Sequence, residues 1–208
     1  MARPSNAAIS LVYASVALVL GAVMMLMLSP DFEGQSSVSR ALRLSAQLAF
    51  VNYVIIFVAR PSRQLLPNGF TGSLLRKRPY FGVSLAAIMS VHLALIAWLF
   101  IFVIHERPPL LTLIAGGVAY LFILLMLLTT YAAPARALGA RNWRRLHKTG
   151  LYYIGAIYLN ALVGDVIGKP SDPVYLAIGV LMVFAIAVRL AAFVKIRTQR
   201  TAAIESDR

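Results

Sequence analysis

Six stretches of this chain are apolar for about the length a helix needs to cross a bilayer, and no other feature limits its fold as strongly. A helix rises about 1.5 Å per residue and the hydrocarbon core is about 30 Å thick, so roughly 20 apolar residues span it. Such runs lie at residues 9–28, 44–58, 81–104, 110–131, 143–167 and 174–194, the second being the shortest. The first stays apolar for its full length and ends in Leu28-Ser29-Pro30 without a small-residue cleavage site, so it reads as a retained helix rather than a signal peptide. With 60% hydrophobic and 13% charged residues, the composition excludes an ordinary soluble domain. The longest stretch between spans, residues 59–80, reads as a loop. The expected fold is an all-α integral membrane bundle of six transmembrane helices, forming one domain over residues 1–208.

The net charge of +13 raises the question of nucleic acid, but the cations sit in short segments between apolar runs and form no folded basic face. They report topology instead. Arg60, Arg63, Arg76, Lys77 and Arg78 follow the second run, Arg136, Arg141, Arg144, Arg145 and Lys148 follow the fourth, and Lys195, Arg197, Arg200 and Arg208 follow the sixth. The opposite segments hold Asp31, Glu33, Glu106, Asp165 and Asp172, with only Arg40, Arg43, Arg107 and Lys169 as cations. The positive-inside rule then predicts that both termini are cytoplasmic.

The chain has no cysteine, which removes disulfides, iron–sulfur clusters, thiolate haem ligation and covalent haem attachment. It also has no Gly-x-Gly-x-x-Gly and no Gly-x-x-x-x-Gly-Lys-Ser/Thr, so no nucleotide site is legible. Chemistry is therefore sought among ionisable groups at membrane depth, which are costly there and face a bundle interior or a bound group.

His92 lies in the middle of the third run, His105 closes that run, and His147 opens the fifth, with Asn160 deeper in it. An imidazole in a span either pins two helices through one hydrogen bond or ligates haem iron. For His92 both readings stand. His147 can supply a second axial imidazole, or serve as an interfacial residue in a basic segment. His105 is thirteen residues beyond His92, about 20 Å along an ideal helix and roughly 140° around it, so the two do not share a face. Arg78 and Arg145 belong to clusters that topology explains and that could also pair with haem propionates. Arg189 lies inside the sixth run, where a cation either snorkels or finds an anion. Trp143 precedes His147 by four residues and shares its helix face.

Three segments of the chain resemble the ferric reductase-like transmembrane family, and within it the small haem-binding MsrQ (YedZ) membrane subunits. They are Ala59-Arg-Pro-Ser-Arg63 leading to Leu75-Arg-Lys-Arg-Pro-Tyr-Phe-Gly82, the ten-residue step from Gly82 to His92, and Leu138-Gly-Ala-Arg-Asn-Trp-Arg-Arg-Leu-His147-Lys. The match covers about residues 40–165 and is most specific in the third segment. Pro79 stands where the family has a second arginine, and Asn160 where it has a further histidine thirteen residues after Trp-x-x-Leu-His. The resemblance implies a b-type haem electron-transfer subunit of an oxidoreductase system rather than a complete enzyme. In this chain it implies one haem b on His92 and His147, with Arg78, Arg145 and Arg189 near the propionates and His105 or Asn160 as lesser candidates. It also implies FMN or a quinone as a further cofactor, a cytoplasmic flavin reductase or quinol as donor, and a periplasmic molybdenum-dependent reductase as acceptor. A competing expectation is a haem-free six-helix scaffold, assembly factor or transporter component. Membrane lipid is the remaining expected partner, nucleic acid is not one, and the resemblance implies a bacterial inner membrane as the location.

Overall fold

The computed structural model describes residues 6–27, 34–105, 108–168 and 172–206, and every regular element among them is helical. In chain order these are α1 (Asn6–Met27), α2 (Gln35–Leu65), α3 (Gly69–Trp98), a π-helical turn over Leu99–Ile104, α4 (Leu110–Leu128), α5 (Ala132–Leu138), α6 (Ala140–Gly168) and α7 (Pro173–Ser206). Of the residues that carried the topology expectation, Asp31, Glu33, Glu106, Arg107, Lys169 and Arg208 lie outside the described residues.

Four segments are long and apolar enough to cross a membrane: Gln35–Leu65, Gly69–Ile104, Leu110–Leu128 and Pro173–Gln199. The segment at Leu110–Leu128 shows most plainly why, because its mean hydropathy is 2.5 and only 6% of it is buried inside the protein. Leu110, Leu111, Leu113, Ile114, Leu121 and Leu124 point outward, and water would be a poor solvent for that surface. Helices also suit hydrocarbon because each answers its own backbone N–H and C=O groups. In α6 the 29 residues are enough by length, and its cations Arg141, Arg144, Arg145 and Lys148 all fall in the first nine residues.

Residues 59–80, expected as a loop, are almost entirely helical. α2 continues through Pro61 to Leu65, and α3 starts at Gly69, leaving only residues 66–68 between them. A reciprocal cap explains the abrupt restart. Asn68 Oδ1 accepts from the Thr71 N–H at 2.9 Å, and Thr71 Oγ1 accepts from the Asn68 N–H at 3.3 Å. Charge alone made the stretch look like a loop, yet Arg, Lys, Gln and Leu are good helix formers.

The helices divide into two compact units. The first comprises residues 1–53 and 79–158, and the second residues 54–78 and 159–208. In the first, α2 and α6 meet around Tyr53, which is fully buried, with Phe50 and Tyr158 against it at ring separations of 6.4 and 5.2 Å. Tyr53 donates to the Leu151 carbonyl at 3.1 Å, and a Cβ at Gly155 would collide with its hydroxyl, so α6 needs a glycine there. On its other side α6 lies against α4. Gly150 faces Met126 and Phe122, and the Phe122 and Tyr153 rings are 5.4 Å apart.

Candidate functional site

His92 and His147 are both held by a hydroxyl of a neighbouring helix, through different ring nitrogens. In the first unit, His92 Nδ1 lies 2.8 Å from Ser45 Oγ on α2. The serine's single proton is donated to the Leu42 carbonyl at 3.0 Å, so the imidazole contact runs from Nδ1–H to Oγ. Nε2, the nitrogen farther from the backbone, is then the one with the lone pair, and it has no hydrogen-bond partner among the described residues. A histidine whose Nδ1–H is anchored and whose Nε2 is bare is arranged as metal-ligating histidines are, because the anchor fixes both tautomer and ring orientation.

His147 is built the other way round. Its Nε2 lies 3.1 Å from Thr129 Oγ1, whose own proton goes to the Leu125 carbonyl at 2.7 Å, so Nε2–H is the donor. Trp143 covers the ring at 4.2 Å between centroids, on the face that the four-residue spacing requires. The indole N–H in turn donates to the Thr129 carbonyl at 3.0 Å. The segment Trp143–His147 thus closes around the end of α4, with Nε2 committed.

The two imidazoles also lie at different depths. Ser45 is level with His92 and Tyr53 with Leu151, and the eight residues from Ser45 to Tyr53 rise about 12 Å. The four residues from Leu151 back to His147 add about 6 Å, giving about 18 Å of axial separation. A second route uses the Tyr158 hydroxyl, 3.8 Å from Met89 Sδ. Three residues from Met89 to His92 and eleven from Tyr158 to His147 sum to about 21 Å on helices running in the same direction. Nitrogens sharing one iron stand about 4 Å apart, since each metal–nitrogen bond is about 2 Å. An imidazole reaches only a few ångströms from its backbone, so the expected pairing of His92 with His147 on one iron does not fit this structure. His147 belongs to another level than His92.

A further polar atom of the first unit lacks a partner among the described residues. The Tyr120 hydroxyl on α4 is buried with no partner among the described residues, and Tyr158, beside it, donates only to a thioether sulfur. Tyr158 is within about one helical turn of the His92 level.

Of the other expected site residues, His105 and Arg145 are exposed, and Asn160, Arg78 and Arg189 belong to the second unit. His105 is exposed with φ of 58°, ending the helix in the left-handed region after the π-helical turn, which also breaks the 3.6-residue periodicity used to place it. Arg145 is exposed on the first turns of α6, and Asn160 is exposed further along it, in the second unit. Arg78 and Arg189 also belong to the second unit, where both are committed to backbone carbonyls. Pro61 has no N–H, so the Phe57 carbonyl four residues earlier loses its helical donor. Arg189 Nη1 supplies one at 3.0 Å and lies 4.2 Å over the Phe57 ring, while Arg78 Nε donates to the adjacent Ile56 carbonyl at 3.1 Å. Lys195 does the same at the end of α2, donating to the Gln64 and Leu65 carbonyls at 3.2 and 3.1 Å.

Ser45, Thr129 and Tyr120 escaped the sequence reading, which searched for ionisable groups. A search for hydroxyls inside apolar runs would have found all three, since each must take a partner in a medium without water. Comparison of the chain with family models, curated proteins and solved structures found no match.

Proposed function

We propose that this chain is a b-type haem subunit of a membrane electron-transfer system, with His92 Nε2 as the protein's axial ligand. The observation that carries the reading is the 2.8 Å contact of His92 Nδ1 with Ser45 Oγ, which itself donates to the Leu42 carbonyl; with Nδ1 so engaged, Nε2 is the nitrogen left for a ligand. The orphaned Tyr120 hydroxyl supports it, as a donor for a polar edge of the bound group. When bound, haem supplies one-electron chemistry; the protein holds the imidazole at a fixed angle, excludes water through the aromatic packing of Phe50, Tyr53 and Tyr158, and tunes ligand basicity through Ser45.

In this reading six helices cross a bacterial inner membrane with both termini cytoplasmic, as the distribution of cations favours. Electrons enter from a cytoplasmic flavin reductase or a quinol and leave to a periplasmic acceptor, which the MsrQ resemblance makes a molybdenum-dependent reductase. FMN or quinone enters as a second cofactor on the same resemblance. Arg78, Arg145 and Arg189 stay propionate candidates on the resemblance alone, since Arg145 is exposed and Arg78 and Arg189 already donate to the Ile56 and Phe57 carbonyls beside Pro61.

A second reading, a haem-free membrane scaffold or assembly factor, is favoured by one observation: the Ser45–His92 bond joins α2 to α3 and is a sufficient helix pin by itself. A dithionite-reduced minus oxidised spectrum of the detergent-purified protein, with haem counted per chain, separates the two. The haem reading expects a b-type spectrum at about one haem per chain that disappears in His92→Ala. A chain without haem after expression in haem-replete cells would leave the scaffold reading.

A further inference from the structure

The chain has three histidines and no cysteine, and all three histidines belong to the first unit, so the imidazoles able to face His92 across an iron are few. His147 stands about 18 to 21 Å from the His92 level and gives Nε2 to Thr129. His105 is thirteen residues further along the same stretch of helix, about 20 Å away, and is exposed. Two axial ligands approach one iron from opposite sides, so neither imidazole can stand across from His92 Nε2. The MsrQ resemblance implies an imidazole pair that this geometry does not supply.

Among the described residues of the first unit, two thioethers are placed by their contacts, and neither replaces the missing imidazole. Met89 precedes His92 by three residues and so shares its face of α3, with its sulfur accepting from Tyr158 at 3.8 Å. It stands beside His92 rather than opposite. Met126 packs against Gly150, within one turn of His147 and so far from the His92 level. Nor is His92 free to swing toward another partner. Ser45 is flanked on its own face of α2 by Ala41 and Ala49, all three fully buried, so the Nδ1 anchor sits in a tight seam and Nε2 keeps its direction.

We infer that the axial position opposite His92 is open and takes a small neutral ligand of the class of CO, NO or O2. This rests on the haem reading and adds ligand binding to it. A haem held by imidazoles on both sides is confined to electron transfer, whereas one open position admits a diatomic ligand to ferrous iron. A neutral ligand is required because an anion at mid-span would have to shed its hydration in a medium that returns little for it.

The test uses the full chain with haem bound, in detergent and again in lipid nanodiscs. The readouts are the ferric electron paramagnetic resonance spectrum and a CO titration of the dithionite-reduced protein followed by absorbance. High-spin ferric iron and CO binding stoichiometric with haem are expected in both media, unchanged in His147→Ala and in His105→Ala. Low-spin ferric iron whose ferrous form ignores CO would overturn the inference, whichever side chain or second copy supplies the sixth ligand. CO binding in detergent but not in nanodiscs would overturn it as well, by showing that extraction strips a native ligand. Both results come from the wild-type chain, so they stand if a histidine variant fails to fold. A chain that binds no haem sinks the haem reading and this inference with it, whereas a haem-loaded chain that refuses CO sinks this inference alone.

Discussion

The regions around His92 and His147 use the same device to opposite ends. Each has a hydroxyl that returns its proton to a carbonyl of its own helix and accepts from an imidazole. At His92 the accepted proton is on Nδ1, so the reactive nitrogen faces forward and bare. At His147 it is on Nε2, the ring is capped by Trp143, and the side chain serves to close α6 onto α4. The lesson is that histidine at membrane depth is not one signal. Which nitrogen the neighbouring helix engages decides whether the residue is a ligand or a fastener.

The largest effect should come from removing the imidazoles. His92→Ala is expected to abolish the haem spectrum, whereas His147→Ala keeps it and lowers stability by about 1 to 3 kcal/mol through a lost hydrogen bond and ring stack. Absorbance and thermal unfolding on the same preparations check both halves. A spectrum lost only in the His147 variant would reverse the comparison.

Next come the hydroxyls. Ser45→Ala should weaken haem retention about 10- to 100-fold, the usual consequence of losing the group that orients a metal-ligating histidine. Thr129→Ala should leave haem content untouched and cost about 1 kcal/mol in unfolding free energy. Haem titration of the apoprotein measures the first effect; equal losses in the two variants would mean that both hydroxyls have one role.

The smallest effects sharpen the packing side of the comparison. Gly155→Ala puts a methyl group into the anchored Tyr53 hydroxyl and should destabilise by about 1 to 3 kcal/mol. Gly150→Ala meets Met126 Sδ and Phe122 at 3.0 and 3.1 Å, and because the thioether can turn aside it should cost less than about 1 kcal/mol. Chemical unfolding of the two variants ranks them, and a larger loss at Gly150 would show that the α4 face of α6 is the tighter one.

The apolar runs were legible because the bilayer sets a length and every residue in a run testifies to it. Residues 59–80 were misread because charge was taken as a sign of loop, when the Asn68–Thr71 cap and good helix formers carry α2 and α3 through the segment. The histidines were legible as candidates, since any ionisable group in a span stands out. Their pairing was not, because depth along one helix is fixed only by contacts with others, here Ser45 with His92, Tyr53 with Leu151 and Tyr158 with Met89. Likewise Arg189 showed in the sequence as a misplaced cation, while its bond to the carbonyl freed by Pro61 links residues 132 positions apart.

What the sequence determined by itself was a set of helices with apolar flanks, basic at alternate connections and without thiols, because length, charge and composition are local properties. The tertiary structure alone decided which imidazole nitrogen is bare and at what level each histidine sits. A tautomer is chosen by a partner's hydroxyl, and for His92 that hydroxyl lies 47 residues away on another helix.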